Sequence, residues 1–529
     1  MLGEANWHIF SCLGKLLLFD VKTGGLHELD EAGLEAAIAY RDRMSVAAQE
    51  RRDRMSVATQ EHAARMPVAA QERSGFVKIT APHDNGSVAT TAERLKEPAG
   101  SAIRSTLRGY GEPIGFTTHE QELPTQSHAE SVVEAYRELE NMVARGLLSS
   151  PFEEDEEYAP DGETVVKALC LHVAHDCNLR CKYCFGKTGN FGMTRELMPL
   201  EVAKAAIDFL LEKSGQRRNL NVDFFGGEPL LNFDVVKAAI DYCDERAEDL
   251  GKRVDFTITT NCLLLDGEVA SFLNERDILV VLSIDGRRDV NDRMRIMPGG
   301  QGSYEHVAQN LVNFIQTKDP HSYYVRSTYT RHNLDFASDV LHLADLGAKS
   351  ISAEPVISSG DREYSIRPED IGVIEAEYEN LTRLFVERHR EGRGFLFYHF
   401  NIDLDGGPCL KRRLSGCGAG TDYLAVSPGG DIYPCHQFVG KPEFKMGDVF
   451  REDIDSEISA KFRDAHVYNK DGCASCWARF ICSGGCHAAA YGSSGDILIP
   501  DKVACALQKK RIECALAAQA MLKDVDPKI

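Results

Sequence analysis

The chain has 529 residues, of which 43% are hydrophobic and 27% are charged, and its formal net charge at pH 7 is −21. This composition is typical of a globular protein with about two to four domains and excludes a fibrous or largely disordered chain. The excess of acidic residues argues against a nucleic-acid partner, because binding to phosphates requires a basic surface.

No segment predicts secretion or membrane insertion. The first ten residues lack a basic stretch followed by an apolar core, and no run approaches the ~18 apolar residues that would cross a bilayer. We therefore expect a cytoplasmic protein without a membrane partner. Its 16 cysteines would then be reduced, and those that cluster in sequence are candidate metal or cluster ligands.

The N-terminal part predicts a small sheet followed by helices. Residues 7–40 alternate as a hairpin and then take a helical pattern. Three near-copies of an 11-residue unit over 41–73 indicate a duplication that forms a solvated helix or a flexible insert. Residues 74–127 have the composition of a linker. An amphipathic helix over 128–150 is expected to return to the hairpin, so that 41–127 interrupts one domain over 1–150.

From residue 164 onward, strand and helix patterns alternate. The predicted strands lie at about 166–173, 219–225, 254–260, 278–284, 323–330 and 349–355. The predicted helices lie near 199–213, 234–249, 266–275, 303–317, 335–346 and 369–391. Six such units predict an α/β fold, a partial (β/α)6 barrel over 164–400. Its chemistry should lie at the carboxyl ends of the strands. The Cys- and Gly-rich residues 405–520 form a third region, held by something other than a large core.

A loop directly after the first of these strands carries Cys177, Cys181 and Cys184, with the spacing C-x3-C-x2-C. Three thiolates can bind three irons of a 4Fe-4S cluster, which leaves the fourth iron without a protein ligand. The alternative is a closed zinc site, which would need a fourth ligand such as His172 or His175.

With aromatic residues on both sides of the third cysteine, this loop resembles the signature of the radical S-adenosylmethionine (SAM) superfamily. The resemblance implies that the open iron binds the amino and carboxylate groups of SAM. It also implies that an electron, delivered by a donor such as flavodoxin or ferredoxin, splits SAM into methionine and a 5′-deoxyadenosyl radical.

The ends of the next three strands resemble the SAM-binding motifs of that superfamily. The segment FFGGEP is expected to pair its backbone with the methionine amino group, because glycine permits close approach. The segments TITTN and LSIDG are expected to contact the ribose and the carboxylate. Arg295 and Arg326 are two candidate partners of the carboxylate, although an isolated arginine is more often a surface or structural residue. The SAM-contacting set is therefore Gly226, Gly227, Glu228, Asn261, Ser283, Asp285 and Arg295.

The cysteines beyond residue 405 resemble a SPASM extension, which binds two auxiliary 4Fe-4S clusters, so that the chain would hold three clusters in all. A pair of zinc knuckles is the alternative. The resemblance implies an outer cluster on Cys473, Cys476, Cys482 and Cys505, and an inner cluster on Cys417, Cys435 and Cys486. Cys409 either closes the inner cluster or leaves one iron open for a substrate thiolate. The scattered cysteines are predicted to be small buried hydrophobic residues: Cys12, Cys170, Cys243, Cys262 and Cys514.

Within the superfamily, residues 165–515 most resemble maturases of six-cysteine peptides, which build thioether bridges in ribosomally made precursors. The resemblance implies that residues 1–150 form a winged-helix-like domain that binds the precursor's leader by strand addition. Two other enzyme classes share the motifs: maturases of a quinohemoprotein amine dehydrogenase subunit, and anaerobic sulfatase-maturing enzymes that form formylglycine. A non-catalytic iron–sulfur carrier or leader-binding scaffold is the alternative outside enzymes.

Overall fold

A computed structural model describes residues 6–65, 126–151, 158, 165–358, 362–404, 410–451 and 454–525. The chain divides into two compact units, Met1–Asp155 and Glu156–Ile529. Cys409, most of the third repeat copy and nearly all of the expected linker lie outside the described residues. None of the helices within the described ranges combines the length and the apolar character needed to span a bilayer.

The first unit contains a three-stranded antiparallel sheet and two helices. Its elements are β1 (Trp7–Cys12), β2 (Lys15–Asp20), β3 (Leu26–Leu29), α1 (Glu31–Arg65) and α2 (Gln126–Ala144). The strand order is β1-β2-β3, so β3 lies at an edge of the sheet. The first two copies of the 11-residue repeat continue α1 without a break. Of the two predictions, a solvated helix or a flexible insert, these two copies therefore form the helix.

The core of this unit joins the sheet to both helices. The Trp7 ring of β1 stacks on Tyr40 of α1 at 5.3 Å, and Tyr40 in turn contacts Tyr136 of α2 at 5.4 Å. Behind α2, the buried Asp20 carboxylate accepts hydrogen bonds from the amide and the hydroxyl of Ser149, both at 2.6 Å. These contacts confirm the prediction that the second helix returns to the hairpin.

The second unit is built on six parallel strands that follow one another in sequence order. They are β4 (Ala168–Ala174), β5 (Asn219–Gly226), β6 (Arg253–Thr260), β7 (Leu279–Ser283), β8 (Tyr323–Tyr329) and β9 (Ser350–Pro355). The accompanying helices are α3 (Leu200–Lys213), α4 (Phe233–Asp249), α5 (Gly267–Glu275), α6 (Arg288–Met294), α7 (Tyr304–Ile315), α8 (Phe336–Asp345) and α9 (Ile371–Arg390). All six predicted strands and six predicted helices are present within a few residues, and α6 is the helix that the pattern missed.

The sheet continues at both edges to ten strands. The short β10 (Leu396–Phe397) pairs in parallel with β9, and β11 (Tyr423–Val426) pairs in parallel with β4. Two antiparallel strands follow, β12 (Asp431–Tyr433) and β13 (Gly447–Asp448). The cysteine-rich region therefore shares one sheet with the barrel strands, which the sequence did not predict.

The C-terminal region contains four short helices and one long one. They are α10 (Leu410–Ser415), α11 (Ser456–Asp464), α12 (Arg479–Cys482), α13 (His487–Ser494) and the long α14 (Lys502–Leu522) among the described residues. Along the second unit, 3-10 turns lie at Pro229–Asn232, Pro368–Asp370, Tyr398–Phe400 and Pro442–Phe444. The long helix α14 packs against α9 and is fastened there by an ion pair between Lys510 and Glu379.

The ten-stranded sheet is strongly curved. The side chain of Tyr329 on β8 faces the outer helices and stacks on Phe336 of α8 at 4.3 Å, so alternate residues such as Arg326 face the opposite side. The Arg326 charge contributes, after burial, to lowering the pKa of His436, which follows β12. In a flat sheet, β8 and β12 would lie roughly 25–30 Å apart, too far for Arg326 to affect His436 in this way. The sheet must therefore curve to bring them together. We call the side that carries Arg326 and His436 the concave face.

Candidate active site at the carboxyl ends of the strands

The three-cysteine loop follows β4 and is held by backbone contacts to the segment after α6. The amide of Arg180 donates to the carbonyl of Ile296 at 2.7 Å, and that of Lys182 donates to Met294 at 2.9 Å. These two hydrogen bonds place the loop, and with it all three thiols, across the carboxyl ends of the strands.

The thiols of Cys177, Cys181 and Cys184 lie near one another, since each one affects the ionisation of another. Burial raises the pKa of Cys177 to about 12 and that of Cys181 to about 11. Thiols in such a setting become thiolates only when a cation such as iron binds them. Three convergent thiols in one loop fit the corner-by-corner ligation of a 4Fe-4S cluster.

The glycine turn after β5 packs directly against the start of this loop. The amide of Gly227 donates to the carbonyl of Ala174 at 2.7 Å, and that of Glu228 donates to Asp176 at 2.9 Å. A Cβ atom on Gly227 would lie 2.1 Å from the Asp176 carbonyl oxygen, so only glycine fits. Because both amides are already bonded, the turn can offer an incoming amino group only its carbonyl oxygens.

The Glu228 side chain fixes this turn and does not face a ligand. Its carboxylate accepts from the hydroxyl of Thr260 at 2.9 Å and from the amides of Leu230 and Asn261 at 3.1 and 2.8 Å. Burial raises its pKa to about 7. The side-chain amide of Asn261 in turn donates to the Cys177 sulfur at 3.6 Å.

Arg295 uses its two terminal nitrogens for contacts within the protein, whereas its buried Nε has no hydrogen-bond partner among the described residues. Its guanidinium donates to the hydroxyl of Tyr183 at 3.1 Å and to the carbonyl of Ser283 at 3.0 Å, and it lies 3.8 Å from Asp285. The same Tyr183 hydroxyl donates to Asp285 at 2.6 Å. This buried network holds Tyr183, the residue next to Cys184 in the three-cysteine loop. Arg326, the second arginine considered for the SAM carboxylate, is exposed on the neighbouring strand β8.

The described auxiliary cysteines gather in two groups. Mutual effects on their pKa values connect the members of each group, which are Cys473, Cys476, Cys482 and Cys505 in one and Cys417, Cys435 and Cys486 in the other. The structure thus brings together the residues predicted for the outer and for the inner cluster. The described side chains include no three His, Cys, Asp or Glu residues arranged around a single metal ion. A cuboidal cluster instead spreads its thiolates over separate irons.

Lys470 lies between these two groups and was not predicted from the sequence. Its side chain is 2% exposed, and its ammonium donates to the carbonyl of Gly484 at 2.8 Å. Burial lowers its pKa, while thiols of both groups, including Cys473 and Cys486, act in the opposite direction. A single lysine among many cysteines forms no motif, so the sequence could not indicate that Lys470 lies between the two groups.

An aromatic contact links the three-cysteine loop to the SPASM-like region. The Phe185 ring, adjacent to Cys184, lies 5.7 Å from the ring of His436, adjacent to Cys435. Phe225 at the end of β5 lies 5.0 Å from the same histidine. The first cysteine loop and the inner auxiliary group therefore open toward the same concave face.

The scattered cysteines behave as predicted. Cys12, Cys170, Cys243, Cys262 and Cys514 are all buried.

A cavity of about 520 Å³ lies at the opposite, amino ends of the strands. Four of its charged side chains form ion pairs, Arg276 with Asp244 at 3.0 Å and Arg253 with Asp255 at 2.9 Å, and Asp277 accepts a hydrogen bond from the Ser322 hydroxyl at 3.2 Å. With its charges satisfied and no cysteine in its lining, this cavity is not the candidate site.

Comparison with known proteins agrees with this geometry. Residues 171–318 match the model of the radical SAM superfamily, and residues 417–477 match the SPASM iron-sulfur cluster-binding domain. The chain contains a radical SAM domain and a SPASM domain. Radical SAM domains imply SAM and a 4Fe-4S cluster, and SPASM domains bind additional iron–sulfur clusters.

Three proteins with similar sequences match this chain over different shares of its length. An uncharacterized protein of Methanocaldococcus jannaschii is 32% identical over 35% of this chain and 62% of its own length. The radical SAM cyclopropyl synthase TigE of Paramaledivibacter caminithermalis is 25% identical over 65% of this chain and 72% of its own. A cysteine-type anaerobic sulfatase-maturating enzyme of Clostridium novyi is 24% identical over 60% and 87%.

The fold of the radical SAM enzyme is also found among solved structures. Native anSMEcpe with bound AdoMet superposes with a TM-score of 0.58 at 20% sequence identity, over 68% of this chain and 100% of that one. At this identity the likeness establishes the α/β fold alone.

Proposed function

We propose that this radical SAM enzyme is a peptide maturase that forms thioether bridges in a ribosomally made precursor peptide. A substrate cysteine would be joined to a carbon of another residue, with flavodoxin or ferredoxin as the electron donor. The relatives support the coarser class, a SPASM-type maturase of peptides or sulfatases. The thioether product is the more specific part of the proposal.

The proposal depends on one observation, the contact between Phe185 and His436. It places the loop of Cys184 and the inner auxiliary cysteine Cys435 on one concave face, within reach of the same substrate. Thioether formation requires this arrangement, because one centre must remove a hydrogen atom while another accepts the electron released when carbon and sulfur join.

The chain's own residues would divide the work. The cofactors, bound at the two cysteine regions, would supply the carbon-centred radical and the electron acceptor. The Glu228 and Asn261 contacts hold the glycine turn and the first cysteine loop in register. The network of Tyr183, Asp285 and Arg295 holds the same loop from the opposite side.

The first unit would bind the leader of the precursor. Strand β3 (Leu26–Leu29) is at the edge of its sheet and pairs on one side with β2. An exposed edge strand can accept an extended peptide as an added strand. On this proposal residues 1–150 form the recognition domain, residues 164–400 the barrel and residues 405–520 the SPASM domain.

The test begins with the full-length protein, reconstituted anaerobically and supplied with SAM and dithionite. Wild-type protein should release 5′-deoxyadenosine and the C184A variant should not. Co-expression with a short cysteine-rich peptide encoded beside the gene should then lower the peptide mass by two hydrogens per bridge. An unchanged peptide mass, with 5′-deoxyadenosine still formed, would reject crosslinking of that peptide.

Sulfatase maturation is the second candidate, favoured by the Clostridium novyi relative, which matches over 87% of its own length. A synthetic sulfatase peptide with a single cysteine separates the two. Conversion of that cysteine to an aldehyde that reacts with hydrazides would select this alternative. Maturation of an amine dehydrogenase subunit would instead give crosslinks from cysteine to acidic side chains in a folded protein.

A further inference from the structure

Arg326 is an exposed cation on the concave face, one strand away from the network around Arg295. It lies in β8 opposite Ser283 of β7, and its carbonyl accepts from the amide of Ile284 at 3.1 Å. Its neighbours Val325 and Ser327 are buried on the outer side, so the Arg326 side chain faces the concave side.

Among the described residues, the Arg326 guanidinium makes no hydrogen bond and no ion pair. The terminal nitrogens of the other arginines nearby are engaged with protein groups, and Arg295 is buried, whereas Arg326 is exposed. Arg295 is buried in contacts with Tyr183 and Ser283, and Arg511 of α14 contacts Glu354 at 3.2 Å. Arg326 is thus the cation of this group that remains free to meet a ligand.

Glu354 of β9 is an acid whose pKa the Arg326 charge affects, and it already contacts two other side chains. Its carboxylate contacts Arg511 at 3.2 Å and His399 at 3.3 Å. Burial lowers the pKa of His399 to about 3, so this histidine is neutral. The Glu354 carboxylate is thus in direct contact with Arg511, and the Arg326 charge only helps to lower the pKa of Glu354 without forming an ion pair with it.

Aromatic rings line the surface beside this charge. Tyr324, two residues earlier and on the same side of β8, stacks on Tyr398 at 5.7 Å with an angle of 20° between the rings. Tyr398 is 53% exposed. A cation beside two exposed or half-buried tyrosines offers one anionic contact and an apolar wall to an extended peptide.

We propose that Arg326 binds a carboxylate of the peptide substrate, either an acidic side chain or the C-terminal carboxylate. A planar guanidinium binds a carboxylate through two parallel hydrogen bonds, which fixes orientation as well as charge. Binding here would select the residue presented to the SAM site. The inference rests on the proposed function only in that the substrate is a peptide.

The experiment measures binding to the full-length, SAM-loaded enzyme by equilibrium dialysis, without turnover. Three probes are used: a tetrapeptide with both ends blocked that carries cysteine and aspartate, its asparagine isostere, and the isostere with a free C-terminal carboxylate. Wild-type enzyme should bind a carboxylate probe about tenfold tighter than the blocked isostere. R326Q should abolish this preference, whereas R253Q, which alters an exposed arginine at the far end of β6, should keep it.

The outcomes separate the sources of the carboxylate. Preference for the aspartate probe identifies an acidic side chain, and preference for the free C-terminus identifies that carboxylate. Equal binding of all three probes to wild-type enzyme, or a preference that persists in R326Q, would overturn the inference.

The SAM affinity of R326Q provides a second measurement. It should stay within about twofold of wild type, because Arg326 is assigned to the peptide. A tenfold loss of SAM affinity would overturn the inference and assign Arg326 to the SAM carboxylate. An enzyme that binds the aspartate probe but never changes a precursor's mass would refute the thioether chemistry and leave the Arg326 assignment intact.

Discussion

The carboxylate of Glu228 accepts a hydrogen bond from the backbone amide of Asn261 at 2.8 Å and so joins the end of β5 to the end of β6. The Asn261 side chain continues this connection to the sulfur of Cys177 at 3.6 Å. One buried carboxylate therefore positions two of the predicted SAM-contacting segments and one predicted cluster ligand at once.

We expect E228Q to weaken both folding and SAM binding. A glutamine would direct an N–H group at one of the donors that now point to Glu228, namely Leu230, Thr260 or Asn261. Although burial raises the Glu228 pKa to about 7, the mismatch with its three donors should outweigh the relief from burying a charge. The net loss should be about 1–3 kcal/mol in unfolding free energy, with SAM affinity reduced about tenfold. Urea unfolding and SAM equilibrium binding measure the two effects. E275Q, at an exposed position of α5, is the matched control and should change stability by less than about 0.5 kcal/mol.

G227A should prevent stable assembly of the first cysteine loop. The added methyl group would lie 2.1 Å from the Asp176 carbonyl and 2.9 Å from that of Gly189, so the loop must shift. We expect a clear loss of iron and sulfide at this loop after reconstitution, measured with the auxiliary cysteines replaced. The control G267A meets no atom within 4 Å at the start of α5 and should retain full loading. Full loading of G227A would show that the tight contact is not required.

K470M should make the auxiliary clusters harder to reduce. The buried Lys470 ammonium lies between the two cysteine groups and would stabilise the added negative charge of a reduced cluster. Its removal should lower the auxiliary reduction potentials by about 50–100 mV. Redox titration followed by electron paramagnetic resonance measures the shift. K461M alters an exposed lysine of α11 and should leave the potentials unchanged.

D223N should stabilise the protein at neutral pH and not in acid. Burial raises the pKa of Asp223 in β5 to about 6, while a hydrogen bond from Thr257 acts in the opposite direction. Its unfolded-state pKa is near 3.8. The wild-type protein therefore loses stability as the pH rises through this interval, because the folded state must ionise a partly buried group.

The difference between D223N and wild type should be near zero below pH 4, grow up to about pH 6 and reach about 1–3 kcal/mol above it. Denaturant unfolding at a series of pH values measures this difference. The exposed Asp255 of β6 gives the control D255N, whose effect should not follow the same pH course. A stability gain that is equal at all pH values would contradict the burial explanation.

Local sequence patterns were sufficient for strands β4 to β9 of the second unit and for all but one of the helices that accompany them. Strand β5 and helix α3 were expected at 219–225 and 199–213, and they are observed at Asn219–Gly226 and Leu200–Lys213. Side-chain periodicity of two or of 3.6 residues is a property of neighbours in sequence, so it can be detected without a fold. The spacing of Cys177 and Cys184 is local in the same way.

Contacts between distant segments could not be predicted in this manner. Nothing in the residues of β11 indicates that it pairs in parallel with β4, some 250 residues earlier, as the match of Ala425 with Cys170 shows. Arg295 was considered as a ligand of the SAM carboxylate, and only the structure shows its guanidinium engaged with Tyr183 and Ser283.

The sequence by itself determined the alternation of strands and helices and the three-cysteine loop after β4, because each depends on the spacing of residues along the chain. The division of the later cysteines into two interleaved sets came from the resemblance to a SPASM extension. Only the tertiary structure decided that the first cysteine loop and the inner auxiliary group open on one concave face, that Lys470 lies between the auxiliary groups and that Arg326 forms no ion pair with any of the described residues. These features depend on the curvature and strand order of a ten-stranded sheet, which brings together side chains that are far apart in sequence.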